Sequence, residues 1–120
     1  MLIMAAWQER AFVSAQLQEE GYRIKAFAGF NTAVAFLCRS PRMPDVVVLD
    51  THRLHLPVDR LSDFRMLLGD IPLILCTGPY RIGELDLGAL RPAKVLIRPF
   101  SVEEVAEAVK EVLASSPNLC

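Results

Sequence analysis

Along the chain, short runs of consecutive apolar residues alternate with longer stretches in which apolar side chains recur every three or four positions. The first pattern suits a strand buried on both faces, the second an amphipathic helix. Leu2–Ala6 is the first strand-like run. Trp7–Glu20 follows as a predicted helix, with Phe12, Val13 and Leu17 inward and Gln8, Glu9, Gln16, Glu19 and Glu20 outward. Gly21 suits its C-terminal end, where a left-handed backbone is needed. Tyr22–Phe27 alternates like a strand, and Asn31 is placed to cap a helix running to about Arg39. Pro41 and Pro44 end that stretch, and Val46–Leu49 is a continuously apolar strand closed by Asp50.

The second half continues the alternation. Val58–Leu68 carries Leu61, Phe64, Leu67 and Leu68 at helical spacing and stops at Gly69, before a strand over Ile71–Cys76. Arg81–Leu90 reads as a weak helix interrupted by Gly83 and Gly88, ahead of a strand over Val95–Ile97. Ser101-Val102-Glu103-Glu104 forms a capping box, in which serine and glutamate side chains each satisfy a free backbone N–H. It opens a helix to about Ala114 with Val102, Val105, Ala106, Val109 and Val112 inward. Strands apolar on both faces belong to a parallel sheet covered by helices on each side. The fold class is therefore α/β: a doubly wound, five-stranded parallel sheet of flavodoxin-like type, one domain over residues 1–114 with a C-terminal tail at 115–120. In such sheets ligands sit beyond the carboxyl ends of the strands, at the switch point. That directs attention to Ala5, Ala6, Asp50, Thr77, Ile97 and Arg98.

Composition narrows the functional classes. Of 120 residues, 52% are hydrophobic and 22% charged, enough to build a core and unlike a disordered segment. A net charge of -1 argues against nucleic-acid binding driven by general basic charge. No apolar run approaches the roughly 20 residues needed to span a bilayer, and the N-terminus lacks the basic start of a signal peptide. A soluble, cytoplasmic domain is expected. Cys38, Cys76 and Cys120 show no CxxC spacing, so they read as reduced thiols, with Cys38 and Cys76 acting as small hydrophobes in apolar segments.

Three motifs then resemble, in order, the receiver domain of bacterial two-component response regulators. Pro44-Asp45-Val46-Val47-Val48-Leu49-Asp50 resembles the third strand ending in the phospho-accepting aspartate. Ile74-Leu75-Cys76-Thr77-Gly78 resembles the fourth strand ending in the Thr/Ser that contacts the phosphoryl group, and Leu96-Ile97-Arg98-Pro99-Phe100 the fifth strand's Lys-Pro-Phe. The resemblance covers essentially the whole chain and implies site roles for Asp50, Thr77 and Arg98. It also implies a protein partner, or a second copy, on the face of the fourth helix, fifth strand and fifth helix, with Leu85, Leu87 and Leu90 offering a partly exposed patch.

The departures from that pattern set the functional expectation. Receivers carry an acidic pair after the first strand that holds Mg²⁺; here the corner reads Met4-Ala5-Ala6. Magnesium prefers octahedral oxygen ligation, and Asp50 with one loop carbonyl is a poor cage, leaving Gln8 and Glu9 as the nearest polar residues. Arg98 stands where the family has lysine, and a planar guanidinium does not substitute for a point charge. It is expected within salt-bridge reach of Asp50, occupying the acceptor oxygens. Val95 stands where many receivers have an aromatic switch. The expected function is thus a pseudo-receiver: a signalling and protein-interaction module without cofactor, bound metal or enzymatic activity. The alternative is a phosphorylatable receiver that accepts a phosphoryl group on Asp50 and uses Mg²⁺.

Other chemistry is sparse. His52 and His55 lie near Asp50, but zinc requires three or four ligands, so a solvated loop is expected. Arg53, Arg60 and Arg65 read as a solvated helix face, and Trp7 as packing on the first helix or covering the vacated corner. Neither a nucleophile elbow nor a glycine-rich phosphate loop is present, and Ala6-Trp7-Gln8-Glu9 offers no cradle for a flavin phosphate.

Overall fold

The computed structural model describes residues 1–115, so most of the tail, including Cys120, lies outside the described residues. The strands are β1 (Leu2–Ile3), β2 (Ala26–Phe27), β3 (Val47–Asp50), β4 (Leu73–Thr77) and β5 (Lys94–Ile97). The helices are α1 (Trp7–Glu19), α2 (Phe30–Arg39), α3 (Leu61–Leu68), α4 (Leu87–Leu90) and α5 (Val102–Ala114). All pairings are parallel, in the order β2-β1-β3-β4-β5. This is the doubly wound, flavodoxin-like sheet that the alternation predicts.

Two apolar layers sandwich the sheet, and the strand period of two sorts residues between them. Ile3, Val47, Leu49, Leu73 and Leu75 pack with Phe30, Ala33 and Leu37 of α2, Leu61, Phe64 and Leu68 of α3, and Leu85 and Leu90. Leu2, Met4, Val48, Ile74 and Cys76 pack with Val13 and Leu17 of α1 and Val105, Ala106, Val109 and Val112 of α5. The central strands β3 and β4 are buried along their whole length, hence their unbroken apolar runs.

Several boundaries depart from the sequence pattern. The edge strand β2 covers only Ala26–Phe27 of the alternating stretch, and β1 stops at Ile3. Phe12 is 64% exposed, because α1 turns Val13 and Leu17 to the sheet and leaves the preceding position facing water. Gly29, not Asn31, is the N-cap of α2. The helix expected over Val58–Leu68 divides into a 3-10 turn at Val58–Arg60 and α3. Beyond α1, Gly21 adopts φ 94 and reverses the chain as expected. The weak fourth helix splits into a 3-10 turn over Arg81–Glu84 and the single turn α4. Ser101 and Glu104 form the full capping box of α5. No helix among the described residues is long and apolar enough to cross a membrane.

Three further expectations are corrected by burial. Arg65 is not on a solvated face: it is 6% exposed, and its guanidinium donates to the carbonyls of Leu90 at 2.7 Å, Ile71 at 2.9 Å, Gly69 at 3.1 Å and Arg91 at 3.3 Å. It thereby ties α3 to the chain after α4, whose four residues are too few to hold themselves. With that segment fastened, Leu85 and Leu90 turn into the core and Leu87 is half-buried. The exposed leucine patch is absent. Cys38, expected to pack, is exposed on α2.

Candidate functional site

The carboxyl ends of β1, β3, β4 and β5 meet at the switch point, where neighbours of β1 lead in opposite directions. Asp50 ends β3 and Thr77 ends β4, both fully buried. Arg98 follows β5, its backbone N–H donating to the Thr77 carbonyl at 2.8 Å, and its peptide bond to Pro99 is cis. The structure thus brings Asp50, Thr77 and Arg98 to one end of the sheet.

Arg98 organises the corner. Its Nη2 lies 2.6 Å from Asp50 Oδ2 and 2.8 Å from Glu9 Oε2, while Nη1 donates to Glu9 Oε1 at 3.3 Å. The guanidinium lies over the Phe100 ring, with 4.9 Å between Cζ and the ring centroid. Its Nε is buried without a hydrogen-bond partner. Asp50 Oδ1 accepts the His52 backbone N–H at 3.2 Å, so both carboxylate oxygens are engaged. Burial pushes the Asp50 pKa up, opposed by the His52 amide and by Arg98. Burial also disfavours the Arg98 charge, but the hydrogen bonds to Glu9 and the field of Asp50 outweigh it and hold the guanidinium ionised.

Thr77 does not point a free hydroxyl at Asp50. Its Oγ1 lies 2.7 Å from Thr51 Oγ1, a hydrogen bond in which either can donate. On the other side of the corner, Arg10 of α1 donates to the carbonyls of Met4 at 2.9 Å and Ala5 at 3.3 Å. A second guanidinium therefore caps the end of β1, where the chain lacks carboxylates. Trp7, the first residue of α1, is 68% exposed, so most of its side chain faces water. His52 and His55 are exposed on the loop after β3, and no group of three His, Cys, Asp or Glu suited to a metal occurs among the described residues.

These donors do not fit magnesium. An octahedral ion needs oxygen lone pairs free to face it. Here the carboxylates of Asp50 and Glu9 and the carbonyls of Met4 and Ala5 are already directed at guanidinium groups. Glu9 was visible in the sequence only as the nearest acid. Its pairing with Arg98 across 89 positions has no local signature, and Arg10 gave no signal at all.

No family model matches the chain, and no curated protein matches it in sequence. Solved structures do. The receiver domain of NtrX from Brucella abortus superposes with a TM-score of 0.76 at 20% identity, covering 96% of this chain and 98% of that one. A response regulator receiver domain protein from Clostridium thermocellum gives 0.78 at 14% identity, over 99% and 96%. A chain described as adenylate cyclase from Rhodopirellula baltica gives 0.75 at 12% identity, over 94% and 84%. At such identities the likeness establishes the receiver fold alone.

Proposed function

We propose that this chain is a pseudo-receiver, a non-enzymatic signalling module that works through protein contact and does not take up a phosphoryl group by magnesium-dependent transfer. The observation that carries the reading is the Arg98 guanidinium, 2.6 Å from Asp50 and held from behind by Glu9. Phosphoryl transfer to a carboxylate needs a free oxygen as nucleophile and metal charge spread over the transferring oxygens. Arg98 occupies the oxygen, and the donors of the metal corner face Arg10 and Arg98.

Asp50 in this reading is a structural anion. Its charge holds Arg98 over the sheet end, so the β5–α5 connection stays in one position without a phosphate signal. Val95 in β5, where a switch aromatic would sit, packs against the α2/α3 layer and offers no ring to reorient. Incubation with acetyl phosphate and Mg²⁺, followed by intact mass measurement, tests the proposal. The expected spectrum is that of the unmodified chain. A stoichiometric phosphoryl adduct lost on Asp50→Asn would overturn it in favour of the phosphorylatable alternative.

A further inference from the structure

At the opposite end of the sheet from Asp50, the α1/α5 layer of the core is left open. A cleft of about 320 Å³ lies there, between the C-terminal ends of α1 and α5 and the amino ends of β1 and β3. Leu2, Leu17, Val48 and Val109 line it and are buried. Tyr22, Ile24, Val46 and Leu113 also line it; they belong to the same apolar layer but stay half-buried. From this cleft we infer a binding site for a small, uncharged, mainly apolar molecule.

The opening has a cause in the chain. β2 begins only at Ala26, so Tyr22, Arg23 and Ile24 cross the end of the layer outside any strand. Gly21, which turns the chain there, brings no side chain to the lining. Protein interiors are close-packed, and voids larger than a water molecule are few. An opening of this size, continuous with the core, leaves apolar side chains with contacts unmade on one side. An apolar occupant supplies those contacts.

Charge and size select the ligand class. The charged side chains of the lining are Arg23 and Asp45, one of each sign and both exposed, so they present no net charge to an occupant. The Met1 amino group already donates to the Val46 carbonyl at 2.9 Å. Burial lowers its pKa to about 6, so at pH 8 it is almost entirely uncharged. An ion entering the cleft would lose water without gaining a partner, a cost that an apolar molecule does not meet. Pockets for drug-sized ligands begin at about 300 Å³, so this one admits a single fused ring system or a short aliphatic chain. The site lies away from the Asp50 corner and stands independently of the pseudo-receiver reading.

Indole is the probe, with the anion indole-3-carboxylate as its charged counterpart. Each is titrated at pH 8 into the full chain carrying ¹³C-labelled Leu and Val methyls. The expected result is saturable shifts of the Leu17, Val48 and Val109 methyls with a Kd of about 1 mM or below. Leu37 and Leu61, on the other side of the sheet, should not move. The carboxylate should bind about tenfold more weakly or worse. Leu113→Trp and Ile24→Trp fill the cleft from half-buried positions on two different segments. Each variant that keeps the native circular dichroism spectrum should lose indole affinity by about tenfold or more. The inference is overturned if indole gives no saturable methyl shifts up to about 5 mM. A carboxylate that binds as tightly as indole, or folded variants that bind indole unchanged, would overturn it equally. So would binding seen only after removal of residues 116–120.

Discussion

Replacing Arg98 by alanine leaves a fully buried carboxylate without its cation. Breaking a buried ion pair from one side costs about 3–5 kcal/mol. Here the lower end applies, because the Arg98 side chain is 23% exposed and water enters when it is cut back. Within that total of about 3 kcal/mol, the contact with Phe100 accounts for about 0.5–1 kcal/mol, and the half-exposed pairing with Glu9 for only a few tenths of a kcal/mol. Those two contributions persist when Asp50 is asparagine, so a double-mutant cycle removes them. Arg98→Ala should cost about 3 kcal/mol alone and about 1 kcal/mol in the Asp50→Asn background, a coupling of about 2 kcal/mol. With a urea m-value near 2 kcal/mol/M, the single variant moves the unfolding midpoint down by about 1.5 M.

The pH dependence sharpens this prediction. The folded Asp50 carboxyl already holds its proton above the usual 3.8. Its contribution to stability is therefore greatest below that value and declines as pH rises through the raised one. Without Arg98 the folded pKa climbs further, so the Arg98→Ala deficit should be small in acid and grow toward pH 8. Urea unfolding of the four proteins at several pH values gives both numbers. Additivity within about 0.5 kcal/mol at neutral pH would refute the ion pair as an energetic unit.

Three further outcomes follow from burial. Arg65→Met should lose about 2–4 kcal/mol, through four carbonyls left without their donor, and calorimetry should show a lowered Tm. Leu90→Asp should unfold the domain, because Leu90 is fully buried; a well-folded variant by circular dichroism would contradict that placement. Iodoacetamide should label Cys38 in the native protein and spare Cys76, whose thiol pKa burial pushes up, until denaturant is added; peptide mapping distinguishes the two.

What the sequence made legible follows from what is local. β3 and β4 announce themselves because burial on both faces forces consecutive apolar residues, and α5 because its capping box and its buried valines agree. The edges of elements are set by neighbours. β2 shortens to two residues as an edge strand, and the leucines around α4 are buried because a distant arginine fastens that segment. Phe12 shows the limit of helical spacing alone: the residue beside an inward valine can fit the pattern and still face water. At the site, Asp50, Thr77 and Arg98 were legible as strand ends. The Glu9 clasp and the Arg10 cap were not, since each depends on how α1 leaves β1, where no residue type marks the geometry.

The claim that guanidinium groups have taken the place of the divalent ion is tested most directly with a paramagnetic one. Mn²⁺ is titrated into the ¹⁵N-labelled chain while amide line widths are followed at Asp50, Thr51 and Arg98. Octahedral carboxylate sites that hold magnesium also take manganese, which broadens nearby amides on binding. The account predicts no selective, saturable broadening of these three amides up to about 5 mM Mn²⁺, far above what an octahedral carboxylate site would need. Saturable broadening centred on Asp50, reversed by excess Mg²⁺, would contradict it.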